Sequence, residues 1–567
     1  MTTVHPPLIR NRLVQVIQEA VARAQATGLL PSVALPEVSV ERPSRPDQGD
    51  FATSFALRAK RAVGPKGPNP MEIAGAISAI LAQDPPPFLA AWDAAPPGFL
   101  NFTLNDHWVR EQLDVILDAA DEFGSLPVES LGRLQVEFVS ANPTGPLHVG
   151  TARNAALGDS LARVLSRAGW QIQREYYYND AGAQMEHLAH SVWVRYQQAL
   201  GRPVLLGEND YQGQYVVDLA QDLLHEHGER FADVPAEQAE ELGSLAARKI
   251  MDWIEADLRR ARVEFDNWFT ESRVIREGDF QRVLDLLQER GLIYEREGAT
   301  WLRSQDLGDE RDRVLIKSDG RPTYTATDIA YHYDKFLVRA FDRVIDVWGA
   351  DHQGQVPSMK AIVRALGVDL ERFDIILYQM VNVLRHGEIV RMGKRAGNFI
   401  TLGDLLDEVG VDATRWFLVS RSADAMMDFD LDLAARQSSD NPVYYVQYAH
   451  ARLSRVLIDG GDIDWQAADV SLLTHPSELA LMRRMLQLPE VVELAARQLA
   501  PHHVPHYAYE LARATQTWYE AGNDDPSLRI LGPEPTVSAA RLKLAAAARQ
   551  VLANALDMVG VAAPESM

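Results

Sequence analysis

The chain has 567 residues, 47% apolar and 24% charged, too long for one hydrophobic core and ordinary for a globular enzyme of several domains. It has no cysteine, which excludes disulfides and argues against a structural zinc site. The opening MTTVHPPLIRNRLV lacks a signal-peptide core and no apolar run approaches membrane length, so a cytoplasmic protein with no membrane partner is expected, while a net charge of −23 argues by itself against a nucleic-acid binder.

In chain order, helices are predicted over 13–24 and 71–82, with GDFATSFAL between them. After Pro96-Pro97, the alternation Gly98-Phe99-Leu100-Asn101-Phe102 reads as a strand. A second strand follows, in which Leu134, Val136 and Phe138 alternate with Gln135 and Glu137; Asn142 to Pro146 break it with turn formers. Beyond His148-Val149-Gly150 the spacing of Ala152, Ala155, Leu161, Ala162 and Leu165 is helical. Glu137, Asn142 and His148 thus gather at a strand's carboxyl end and a helix's first turn, where free backbone N–H groups bind anions. The His148 imidazole suits a phosphate oxygen, and Gly150 lets a nucleotide lie against the backbone. A helix start with a packing glycine and a loop-capping histidine would show the same pattern.

Further on, a helical run over 236–262 mixes acids and bases and makes no catalytic claim. Tyr324 and Asp328, four apart, share a helical face. The stretch from Ile345 to Gln355 is a strand running into a polar cluster; a buried strand explains its first part but not why Asp351, His352 and Gln355 crowd together. The apolar pattern around Ile375 to Val383 reads as a buried strand. Next comes Arg391-Met392-Gly393-Lys394-Arg395-Ala396-Gly397-Asn398, in which two glycines loosen the backbone and three cations can neutralise departing pyrophosphate. The last block is nearly all helix, with main runs over 441–458, 478–499, 504–519 and 537–558.

HVGT at His148 to Thr151 resembles the HIGH signature of class I aminoacyl-tRNA synthetases, and MGKRAG at Met392 to Gly397 resembles the KMSKS loop. The strings EFVSANPTGPLHVG, YYYNDAGAQ, TYTATDIAYHYDKF, DVWGADHQG and DNPVYYVQYAHARL are similar to the arginyl-tRNA synthetase family in particular. The resemblance runs from Gly49 to Met567. It departs at Thr151, where the signature ends in histidine, at Gly393, where the loop usually has serine, and at Arg391, which replaces the loop's first lysine.

The resemblance implies an α/β fold: a Rossmann-like parallel-sheet catalytic domain over 125–384 with an insertion at about 195–305, an α+β amino-terminal added domain over 1–110, a loop and connector over 385–435, and an all-α helical bundle over 436–567. It implies an arginine–tRNA ligase that uses ATP with Mg²⁺ and no zinc, makes arginyl-adenylate and charges tRNA(Arg), works as a monomer, and activates arginine only with tRNA bound. A catalytically inactive tRNA- or nucleotide-binding paralogue is the alternative, favoured only by Thr151 and Gly393.

By the same resemblance His148, Gly150, Thr151, Lys394, Arg391 and Arg395 are the catalytic candidates, with Lys394 foremost. ATP is assigned to His148, Gly150, Arg153, Asp351, His352, Met392 and Lys394. Arginine is assigned to Glu137, Asn142, Tyr324, Asp328 and Gln355, an aspartate being the planar partner of a guanidinium. For tRNA the candidates are Phe99 and Asn101 at the elbow, Tyr211 and Tyr215 at the acceptor end or against the bound amino acid, and Tyr444, Tyr445, Tyr448 and Tyr507 in the anticodon-type block. A local basic surface is expected from Arg58, Lys60, Arg61, Lys66, Arg541 and Lys543.

Overall fold

The computed structural model describes residues 8–567 except 129, 181, 277 and 391–398. The amino-terminal part packs helices α1 (Ile9–Ala26), α2 (Phe55–Val63), α3 (Pro70–Leu81) and α4 (Asp106–Ala119) with strands β1 (Phe51–Thr53), β2 (Leu89–Ala95) and β3 (Phe99–Leu104). The strands form an antiparallel sheet in the order β1-β3-β2. Along β3 the alternation is real: Leu100, Phe102 and Leu104 are buried, whereas Phe99 and Asn101 face the partly open side.

The central domain is built on five parallel strands in the order β11-β10-β4-β5-β6. They are β4 (Arg133–Glu137), β5 (Gln171–Tyr178), β6 (Asn267–Thr270), β10 (Arg343–Gly349) and β11 (Phe373–Tyr378). Helix α5 (Val149–Arg167) crosses from β4 to β5 and is buried along most of its length. It lies close on the strand's exit, since a Cβ at Gly158 would sit 2.2 Å from the Phe138 ring. Helices α6 (Ala183–Ala199), α7 (Gln214–His227) and α8 (Glu240–Arg260) then pack together before the chain returns as β6.

That return corrects the expected insertion at about 195–305. Asn267–Thr270 lies inside it, yet pairs with β5 as part of the main sheet. A four-residue strand carries too little periodicity to be read locally. A second excursion holds α9 (Glu271–Arg276), α10 (Asp279–Glu289) and the antiparallel β7 (Ile293–Arg296), β8 (Ala299–Leu302) and β9 (Arg313–Ile316). Helices α11 (Tyr324–Tyr333) and α12 (Val356–Ala365) flank β10 in sequence.

The pattern expected as one strand over Ile375 to Val383 is two. After β11, β12 (Val381–Arg385) leaves the main sheet to pair with β13 (Glu388–Ile389) and β14 (Met427–Asp430). Helices α13 (Leu402–Val419) and α14 (Leu431–Ala434) complete this region. The carboxyl-terminal part is helical: α15 (Pro442–Asp459), α16 (Pro476–Met485), α17 (Leu488–Gln498), α18 (His503–Asp524) and α19 (Pro535–Met558). The run expected unbroken over 478–499 divides between α16 and α17, where Pro489, lacking an N–H, stands in the first turn of the second helix. Among the described residues no helix is long and apolar enough to cross a membrane.

Candidate active site

The carboxyl ends of β4 and β10 and the start of α5 open into a cavity of about 680 Å³, the size of a small-molecule site. Its lining includes Glu137, His148, Gly150, Thr151, Asp328, Asp346, Asp351, His352, Gln355 and Phe399.

The turn leaving β4 is held against its own preference. Val139 (φ 66) and Ser140 (φ 43) are left-handed, a conformation β-branched residues avoid. Asn154 on α5 fixes it: its Oδ1 accepts from the Val139 N–H at 3.0 Å and its amide donates to the Val347 carbonyl at 3.0 Å. Ser140 accepts from the Tyr177 N–H at 3.1 Å and donates to Glu137 Oε1 at 3.0 Å.

His148 is the N-cap of α5. Its Nδ1 accepts from the N–H groups of Gly150 (3.1 Å) and Thr151 (3.4 Å), which leaves the ring proton on Nε2 and makes that atom the donor. Thr151 Oγ1 lies 3.3 Å from Nε2. The same turn is tied to the segment that follows residues 391–398: Val149 N–H donates to the Ile400 carbonyl (3.0 Å) and Leu402 N–H to the Leu147 carbonyl (2.7 Å). A Cβ at Gly150 would sit 3.0 Å from the His148 Cε1 and 3.2 Å from its Nδ1. Gly150→Ala should therefore displace the ring and, if the resemblance to class I synthetases holds at this turn, slow amino-acid activation about tenfold, with helix stability unharmed. Initial rates of pyrophosphate exchange at saturating substrates check this, and an unchanged rate would show that the ring's placement does not matter.

The cavity floor is acidic. Lys335, fully buried on the π-helical turn Asp334–Val338 that follows α11, donates to Glu137 Oε2 (2.6 Å) and Asp346 Oδ1 (2.8 Å). His332 meets the Asp328 carbonyl through Nδ1 (2.8 Å) and Asp346 Oδ2 through Nε2 (3.2 Å). Behind them Arg339 clasps Glu175, which also accepts from Tyr331 Oη at 2.5 Å. Burial alone would push the Asp346 carboxyl up, but Lys335 and His332 outweigh it and hold it low. Glu137 is pushed up by burial, with Asp346 and Glu175 adding to the effect and Lys335 opposing it. Asp328 is pushed up to about 7 by burial, reinforced by Glu271, Glu137 and Asp346 against the pull of His332. Such a floor is short of positive charge and would welcome a cation.

The other expected residues fall as follows. Asp351 and His352 stand exposed on the turn after β10 at the cavity mouth, with Gln355 beside them. Tyr324 opens α11 and is 71% exposed, outside the cavity lining. Asn142 also lies outside it; its Oδ1 accepts from the Asn179 N–H at 2.9 Å and its amide donates to Gln184 at 2.8 Å. Tyr215 donates to the Thr144 carbonyl at 2.7 Å, so it braces the loop before His148, and half-buried Tyr211 stands near it. Tyr444 and Tyr448 stack at 6.2 Å on α15, with Arg452 over the Tyr448 ring. Met392, Lys394, Arg391 and Arg395 lie outside the described residues.

Several expectations are corrected. Arg153 does not line the cavity: it is fully buried, and its guanidinium donates to the carbonyls of Gln379, Ser422 and Ala425. Arg541 and Lys543 form no basic surface, being buried on α19 and paired with Glu478 and Asp114. Lys60 caps its own turn by donating to the Gly64 and Gly67 carbonyls. Tyr507 is buried, its hydroxyl directed to the Arg484 and Met485 carbonyls at 3.1 Å. The sequence reading missed Lys335, His332 and Asp346. Asp346 had a signal, a lone carboxylate inside the apolar strand Val344 to Trp348; Lys335 had none.

A parallel sheet whose crevice holds a histidine-capped helix start fits the class I aminoacyl-tRNA synthetase fold that the sequence resemblance implies. Comparison with known families narrows this. Residues 126–454 match the class I (R) tRNA synthetase catalytic domain, 11–104 the arginyl tRNA synthetase N-terminal domain and 446–567 the DALR anticodon-binding domain. The chain is 42% identical to an arginine–tRNA ligase of Dehalococcoides mccartyi over 99% of both chains, and 44% identical to one of Syntrophotalea carbinolica over 99% of this chain and 100% of the other. Its fold is shared with the arginyl-tRNA synthetase of Thermus thermophilus, at TM-score 0.76 and 24% identity, covering 99% of this chain and 100% of that one. The chain belongs to the arginyl-tRNA synthetase family. It is an arginine–tRNA ligase, which forms arginyl-adenylate from ATP and L-arginine and transfers the arginyl group to tRNA(Arg).

Proposed function

We propose that arginine lies across the cavity floor, its guanidinium at Asp328, while ATP lies over His148, Gly150 and Thr151 at the start of α5. The observation that carries this reading is one cavity that has the His148 ring and the Thr151 hydroxyl at the start of α5 on one side and an acidic floor short of cations on the other. The substrate carboxylate attacks the α-phosphorus in line, so the protein needs no nucleophile of its own; it supplies position and charge. The Nε2–H of His148 donates to a phosphate oxygen, and Thr151 adds its hydroxyl where the family has a histidine. Asp351, His352 and Gln355 serve at the mouth, and Tyr324 closes on the guanidinium from the first turn of α11.

Mg²⁺ enters with ATP as counterion of its phosphates. Residues 1–110 meet the tRNA elbow through Phe99 and Asn101, and 436–567 meet the anticodon through the Tyr444–Tyr448 stack, single-stranded bases gaining about 1–3 kcal/mol each from such rings. The enzyme works as a cytoplasmic monomer, and activation waits for tRNA. Pyrophosphate exchange by the purified protein, with tRNA present, tests the assignment. Exchange is expected with arginine; exchange with leucine or cysteine and not with arginine would sink it.

A further inference from the structure

The turn that leaves β4 puts a valine where a glycine would fit best. Ser140 N–H donates to the Phe138 carbonyl at 2.9 Å, which closes a three-residue turn around Val139. With Val139 at φ 66, this is the rarer and strained of the two γ-turn forms. Glycine takes such a conformation freely, and valine, branched at Cβ, resists it. Strain of this kind persists only where the surroundings over-determine it, and it collects at functional sites. Asn154, buried in the second turn of α5, supplies the constraint. Its amide orientation is set by its neighbours, since the Val139 N–H can only donate and the Val347 carbonyl can only accept; each lies at 3.0 Å. The same side chain hydrogen-bonds the Tyr378 hydroxyl at the end of β11. One asparagine thus ties the exits of three neighbouring strands, β4, β10 and β11, to the helix that begins at His148. Val139, Val347, Tyr378 and Asn154 itself all line the cavity.

We propose that Asn154 is a positioning residue for amino-acid activation: it makes Val139 hold a turn that glycine would hold unaided, and so sets the spacing between the cavity wall at Val139 to Ala141 and the His148 end of α5. This rests on the reaction taking place in this cavity. The substrates meet across that spacing, and a misplacement of about 1 Å can cost on the order of a hundredfold in rate. The groups that bind each substrate stay where they are, so the loss falls on kcat.

The test measures kcat, arginine KM and ATP KM for pyrophosphate exchange, with tRNA present, in N154A, V139G, N154A/V139G and H148A, each checked for folding by circular dichroism. N154A should lower kcat about tenfold or more, with both KM values within about threefold of wild type. In the V139G background the same change should cost about threefold or less, because glycine keeps the left-handed turn without a brace. A merely structural asparagine predicts the reverse: glycine adds freedom to the unfolded chain, so the doubly changed protein loses at least as much as N154A does. Alanine favours the helix. Should N154A still fail to fold, N154S, too short for either partner but able to keep a buried water, carries the same comparison. Equal losses in the two backgrounds, or a wild-type kcat in N154A, overturn the role of Asn154. A wild-type kcat in H148A as well overturns the placement of the reaction in this cavity, and the role of Asn154 with it.

Discussion

Asp328→Ala should raise the KM for arginine by about a hundredfold or more, while ATP KM moves by no more than about twofold. The carboxyl lines the cavity, half-buried, with neighbouring acids and little compensating charge. Such a group gains most from a guanidinium, whose planar fork matches it. Removing it also narrows the margin against citrulline, which has the shape of arginine but no charge. The same residue gives a pH dependence with a definite sign. In the free site its carboxyl stands near 7, and bound guanidinium favours the ionised form. Below about pH 7 arginine must therefore expel a proton to bind, and apparent affinity falls by up to about tenfold per pH unit. Above it the dependence flattens. Calorimetry at pH 7 in buffers of different ionisation enthalpy should show proton release on binding, and Asp328→Ala should abolish it. If the variant keeps a wild-type KM, the guanidinium lies elsewhere, and Asp351 at the mouth is the next carboxylate to change.

What could be read beforehand was local. The strand through Glu137, the turn over Asn142 to Pro146 and the helix from Val149 follow from periodicity and turn formers within some thirty residues, and the structure repeats them. Asp328 stood out only through the family string around it, because a surface helix start would look the same. Lys335 could not be found in this way. Its partner Glu137 is 198 residues away in sequence, and nothing in Asp334-Lys335-Phe336 says that the lysine is buried. Arg153 and the pair Arg541 and Lys543 mislead for a related reason. Helices α5 and α19 are buried on nearly every face, so a cation on them points into protein, where carbonyls and carboxylates already wait for it. A charged residue reads as surface only when its helix has a surface to offer.

Lys394→Ala should slow the activation step by about a hundredfold or more, with arginine binding nearly unchanged. The residue lies outside the described part of the chain, but both ends of its loop are placed. On one side Val381 lines the cavity and the Val390 N–H donates to the Val383 carbonyl at 2.8 Å. On the other, Phe399 lines the cavity and Ile400 and Leu402 exchange hydrogen bonds with Val149 and Leu147. Beyond residues 391–398 the chain thus rejoins the cavity wall beside His148, where the phosphates of ATP are proposed to lie. Charge supplied there matters most as pyrophosphate departs, when negative charge grows on the leaving oxygens, and little while arginine merely binds. A loss in kcat with an unchanged arginine Kd is the expected signature, read by single-turnover adenylate formation with tRNA bound. Arg391 and Arg395 carry the same sign of charge but spread it over a planar fork, whereas an ammonium is a compact point charge. If Lys394→Ala costs little and Arg395→Ala or Arg391→Ala costs a hundredfold, the choice of Lys394 within the loop is wrong and the arginine so identified is the group that meets the departing phosphates.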